Sequence, residues 1–162
     1  MNLAQRIMMA RQDSSPFIGL MTRYLRLLQT GNSFNTQHGL YHAAIRQVGL
    51  HEDVDAMGIN YSLSAVSANA SAVHSLPYAA SKAFDGDMDT WWSPPVNQTQ
   101  PHWISIDFGQ LRGIKSLSLG LIGSAGYFAS QYAIQSSADG ATWETFTTID
   151  TIEVNDLQVF NL

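Results

Sequence analysis

Two hydrophobic periods divide the chain. Toward the N-terminus, Phe17, Leu20, Met21, Tyr24, Leu25 and Leu28 keep to a 3.6-residue period, with Arg23 and Arg26 off the stripe. Ser15 suits an N-cap, Pro16 a first helical position and Gly31 a C-cap, so the pattern predicts a helix over 15–31. Another is predicted over Gln37–Val48, where Leu40, Tyr41, Ala44, Ile45 and Val48 share one face and Gly49 follows. A weaker turn or two surrounds Leu3, Ile7 and Met8. Helices this short are marginal alone in water, so they imply a docking region packed on another surface.

From Tyr61 onward the period becomes two. Ile104, Ile106 and Phe108 alternate with Trp103, Ser105 and Asp107, and Leu117, Leu119 and Leu121 alternate with Ser116, Ser118 and Gly120. Tyr132, Ile134 and Ser136 continue the pattern, Asp139-Gly140 supplies a hairpin turn, and Trp143 and Phe146 lie beyond it. Ile152–Val154 and Leu157–Val159 suggest two more short strands. Strands at regular spacing with no helix between them predict an antiparallel sandwich or barrel. The expected organisation is α+β: a helical docking and assembly region at 1–50, a linker at 51–60, and a β-sandwich at 61–162.

Composition narrows the function classes. A length of 162 residues allows one core-bearing domain and an appendage. The net charge of −5 leaves no basic footprint for nucleic acid. Charged residues make up 13%, about half the roughly 25% usual in soluble domains, which suggests a surface covered by partner subunits. With no cysteine, disulfides and thiolate metal sites are excluded. No apolar run approaches the ~18–20 residues of a membrane-spanning helix.

The chemistry concentrates in Ala83–Ser93, which holds Asp85, Asp87, Asp89, Thr90, Gly86 and the pair Trp91-Trp92. Oxygen donors spaced two apart can wrap a hard cation, or they can merely cap turns. The loop is not an EF-hand: Thr90 stands at the turn-glycine position and Val96 at that of the bidentate glutamate. At least one of Trp91 and Trp92 is expected to face outward, where a flat ring can stack on a sugar. His102 beside Trp103 is a candidate for a sugar hydroxyl, and Tyr127 and Phe128 for a recognition loop between small residues. His38 and His42, four apart, suit a metal only if a third ligand such as His51 or Glu52 converges. No nucleophile elbow, P-loop, zinc-protease or dinucleotide motif is present, and the chain reads as non-enzymatic.

Four blocks in order carry a family likeness: Ser64–Ala68, Pro77–Ser93, Trp103–Gly109 and Tyr132–Trp143. They resemble the discoidin family, which includes the coagulation factor V/VIII type C domain and the family 32 carbohydrate-binding modules. The resemblance implies a jelly-roll-like, galactose-binding-like β-sandwich that binds glycans, lipid head groups or proteins. It implies a structural calcium with Asp85 and Thr90 as side-chain ligands and Asp87 giving its carbonyl, and a ligand face including Trp92, His102, Tyr127 and Phe128. Family members continue past a strand like Leu157–Leu162 into further strands that pair back into the sandwich. Here the domain is either reduced, or completed by the N-terminal region or a neighbouring chain. Together these features suggest a structural subunit, best fitted to a bacteriophage virion (capsid- or tail-associated), whose residues 1–50 dock into the assembly. The alternative is a stand-alone carbohydrate-binding lectin or adhesin module, extracellular or at a cell surface.

Overall fold

The computed structural model describes residues 19–32, 42–96, 101–122, 126–152 and 156–162. Among the described residues, eight strands form two antiparallel sheets. In chain order they are β1 (Leu20–Gln29), β2 (Ile45–His51), β3 (Ser67–Ala70), β4 (Trp103–Ile114), β5 (Ser116–Leu121), β6 (Gln131–Ser137), β7 (Glu144–Asp150) and β8 (Leu157–Asn161). One sheet runs β3-β4-β1-β6-β7 and the other β2-β5-β8.

The alternation expected for the C-terminal strands sets the core. Leu27 lies in a row between Ile104 and Ile134, and Leu25 pairs with Ile106, so one face of three adjacent strands is apolar. In the smaller sheet Leu50 pairs with Leu117, Val48 with Leu119 and Ile45 with Leu121. Both faces meet in one buried cluster, which also takes in Phe84, Trp92 and Phe128. The opposite face of β1 is wet. There Arg26 donates to Gln135 at 2.7 Å and its guanidinium lies 4.3 Å from the Trp143 ring centre and 5.4 Å from that of Trp103. The Asp139-Gly140 turn forms as expected, with Gly140 at φ +76° and Asp139 Oδ1 accepting from the Ala141 and Thr142 amides, both at 2.8 Å.

The helices expected at 15–31 and 37–48 are corrected by the structure. Leu20–Gln29 is a strand, and so is Ile45–His51; the remainder of both stretches, with the turn near Leu3, Ile7 and Met8, lies in part or wholly outside the described residues. The reason is an irregular register in each strand. In β1 the register shifts between Thr22 and Tyr24, where two steps of β1 face the five from Asp107 to Arg112 of β4, and the buried positions run Leu20, Thr22, then Leu25, Leu27 and Gln29. In β2 one extra residue lies between Ile45 and Gln47, and the deeply buried apolar side chains fall at Ile45, Val48 and Leu50. Each irregularity breaks the period of two and leaves a three-residue gap that mimics a helix.

These two strands also complete the sandwich. β1 occupies the centre of the large sheet and β2 an edge of the small one, so the N-terminal region supplies partners to the strands that follow it. Leu27→Ala should therefore cost about 2–5 kcal/mol, the range for a core leucine, and be measured by urea denaturation. A cost below about 1 kcal/mol, as for a peripheral arm, would contradict β1's central place.

Candidate functional site

At one end of the sandwich, His42–Arg46, His74–Tyr78, Trp91–Val96 and the residues Ile122 and Tyr127 surround a depression of about 330 Å³. Backbone bonds fix these segments to one another. Ile45 and Trp92 exchange amide–carbonyl bonds at 2.9 and 3.0 Å, the Ala44 amide donates to the Tyr127 carbonyl at 2.9 Å, and the His74 amide to the Ser93 carbonyl at 2.8 Å. Tyr78 and Trp91 lie ring against ring, centroids 5.4 Å apart and planes 33° from parallel. His74 meets Tyr78 edge-on at 5.6 Å, and His42 meets Tyr127 edge-on at 5.5 Å. A half-open hollow with an aromatic wall and a few polar groups has the build of a small-molecule site.

The bulge in β2 places Arg46 there, since Ile45 and Gln47 pair with Leu121 and Gly120 while Arg46 is the extra residue between them. A similar hollow of about 340 Å³ lies around Thr22, Arg23 and Ser136–Thr142. Two of its three charged groups already have partners: Arg23 forks onto Asp107 at 3.0 and 3.2 Å, and the Asp139 carboxyl is held down to about 2 by the amides and hydroxyls of its own turn. The first hollow is the stronger site.

Of the side chains expected to meet a ligand, Tyr127 lines this hollow. Trp92 is 2% exposed and turns inward, its Nε1 donating to the Ala72 carbonyl at 3.1 Å. Phe128, 1% exposed, joins the core, and His102, 5% exposed, sits beneath the sheet with Nδ1 3.0 Å from the Ser71 hydroxyl. Trp91 is the outward member of the pair. Arg46, His74 and Tyr78 went unread in the sequence. The bulge that presents Arg46 leaves no local signature, and Tyr78 joins Trp91 only through the tertiary fold. His42 precedes β2 in a non-helical segment, so no helical face holds it beside His38, which lies outside the described residues.

The acidic loop lies elsewhere. The Thr90 hydroxyl has four acceptor oxygens within 3.3 Å: Asp85 Oδ1 at 3.0 Å and Oδ2 at 2.8 Å, the Asp87 carbonyl at 3.2 Å and the Lys82 carbonyl at 3.3 Å. One hydroxyl hydrogen cannot serve four acceptors, so oxygen lone pairs converge in surplus, as a hard cation requires. The donor set fits calcium in type. Its competitor is the Lys82 ammonium, 3.4 Å from Asp85 Oδ2. Because most of these donors are carbonyl and hydroxyl oxygens, no cluster of three His, Cys, Asp or Glu occurs here or elsewhere among the described residues.

With the geometry in place, the family model for the F5/8 type C domain matches residues 65–162. The chain belongs to the F5/8 type C, or discoidin, family. Neither a curated protein nor a solved structure matches it. F5/8 type C domains are generally binding modules for carbohydrate or protein, typically extracellular or surface-associated. In this F5/8 type C domain β1, β2, His42 and Arg46 lie outside the matched residues, yet they finish the sandwich and one wall of the hollow. No helix among the described residues is long and apolar enough to cross a membrane.

Two buried histidines make stability depend on pH. Burial pushes His51 and His102 below the ordinary 6.5, and the neighbouring His42 pushes His102 the same way. Both rings bind protons less readily folded than unfolded. Their contribution is complete above about pH 6.5 and is lost as pH falls below it. The urea midpoint should drop between about pH 6.5 and 5, with His102→Gln flattening the drop. A midpoint constant across that window would refute the assignment.

Proposed function

We propose that this chain is a non-catalytic module that binds a saccharide in the hollow between β2, the loops at 74–78 and 91–96, and the side chains of Ile122 and Tyr127. The observation that carries this reading is the Tyr78–Trp91 ring pair beside the polar side chains of Arg46, His74 and Ser93. Aromatic faces match the C–H faces of a sugar ring, while Arg46, His74 and Ser93 offer hydrogen bonds to its hydroxyls. An extracellular or surface-associated setting, usual for the family, suits a glycan ligand. The virion-subunit reading relied on small size, the lack of a secretion signal and of cysteine, sparse charge and a shortened sandwich, with a helical arm for docking. With β1 and β2 inside the sheets, the described part of that arm belongs to the sandwich itself, and the carbohydrate-binding alternative becomes the preferred one.

On a glycan array the full chain should give hits. Trp91→Ala should weaken binding by about tenfold with the thermal midpoint nearly unchanged, since a half-exposed ring is lost rather than a core one. Trp92→Ala should instead destabilise the fold by about 3–5 kcal/mol. An array without hits removes the reading.

We further propose that the loop at Lys82–Thr90 takes a structural calcium, through Asp85, the Asp87 carbonyl and Thr90. When bound, the ion would neutralise converging oxygens and brace the turn that leads into Trp91 and Trp92. Calcium should raise the thermal midpoint, EDTA should reverse the rise, and Asp85→Asn should abolish it. An unchanged midpoint at millimolar calcium would dismiss the ion.

A further inference from the structure

The described cations have partners with one exception. Arg23 is paired with Asp107, Arg26 is bonded to Gln135 and lies over two indoles, and Arg112 lies 4.6 Å from the Tyr61 ring centre. Lys82 and Lys115 each reach a carboxylate at 3.4 Å. Arg46 alone has neither a carboxylate nor a ring against it among the described residues, and its Nε is buried without an acceptor. The walls around it are unusual for a chain of net charge −5: among the described residues they include His42, Arg46 and His74 but no aspartate or glutamate.

A guanidinium edge shielded from water and lacking an acceptor is costly, and an arriving anion relieves that cost. The Nε–H and one terminal N–H form a fork that fits a planar, two-oxygen carboxylate at two points. A carboxylate is also a monoanion, matched to the single permanent cation present. The bulge at Arg46 is the device that turns this side chain out of the ladder and into the hollow.

We propose that the hollow selects carboxylate-bearing saccharides, of the uronic acid type, and that Arg46 is the specificity-determining residue. The Tyr78–Trp91 pair takes the ring of the sugar, and the Arg46 fork takes its carboxylate. This inference rests on the saccharide reading of the hollow and adds the charge class of its ligand.

Calorimetric titration of the full chain tests it with galacturonate and glucuronate, their neutral parents galactose and glucose, and galactose 6-sulfate. At least one uronate should bind about tenfold or more tighter than its neutral parent, with that advantage shrinking as salt is raised. Arg46→Gln should bring the uronate down to the level of its parent, and Trp91→Ala should weaken both sugars together. Equal binding of acid and parent, a sulfate preferred over the uronates, or a preference surviving in Arg46→Gln each overturns the inference while leaving a saccharide site standing. No binding by any of the five sugars overturns the saccharide site itself, and this inference with it. The wild-type comparison needs no variant, so the outcome holds even if Arg46→Gln misfolds.

Discussion

Strand β1 holds the larger sheet together. Every ladder bond that joins the β3–β4 pair to the β6–β7 pair passes through its two edges. Remove it and two ribbons remain, each with an unpaired edge and a half-covered apolar face. Its inward leucines are also the middle of the core row that runs from Ile104 through Leu27 to Ile134. The stability of the sandwich and the position of everything at its ends follow from one segment that lies outside the matched family region.

The hollow depends on the same arrangement at one remove. β2 pairs with β5 and carries Ile45, whose bonds to Trp92 anchor the loop that presents Trp91. Trp92 acts as the buried foot of that loop, its indole N–H tied to the Ala72 carbonyl, and Trp91 is the half-buried, outward side of the same turn. Adjacent tryptophans thus divide the work: one ring is fixed in the core so that the other keeps a defined place on the wall. The acidic turn before them is connected to β2 as well, because the Gly86 amide donates to Gln47 Oε1 at 3.0 Å. A cation bound at that turn and a sugar bound in the hollow would both act on the segment between Asp85 and Ser93.

The strands from Trp103 onward were legible because apolar and small or polar residues alternate over Ile104–Phe108 and Leu117–Leu121, stretches that no register shift divides, and the Asp139-Gly140 turn because its chemistry is local. The family blocks were legible for a similar reason: each is a short contiguous run whose residues act together. β1 and β2 were not, because an irregular register erases the parity on which a strand is read. The 3.6-residue fit of Leu20, Tyr24, Leu25 and Leu28 mixes the buried Leu20 and Leu25 with Tyr24 and Leu28, which share the other face of β1 with Arg26. Similarly, the choice between Trp91 and Trp92 is invisible to composition, since it depends on which ring meets the Ala72 carbonyl twenty residues away.

By itself the sequence determined a sandwich of short antiparallel strands, an oxygen-rich loop and membership of a family whose domains are generally binding modules. Those properties are carried by residue type and near-neighbour spacing. Only the tertiary structure decided which strand lies at the centre, which tryptophan faces solvent, and which arginine is left without a partner. Each of these is set by pairing between segments far apart in the chain, where a one-residue change of register turns every later side chain to the opposite face.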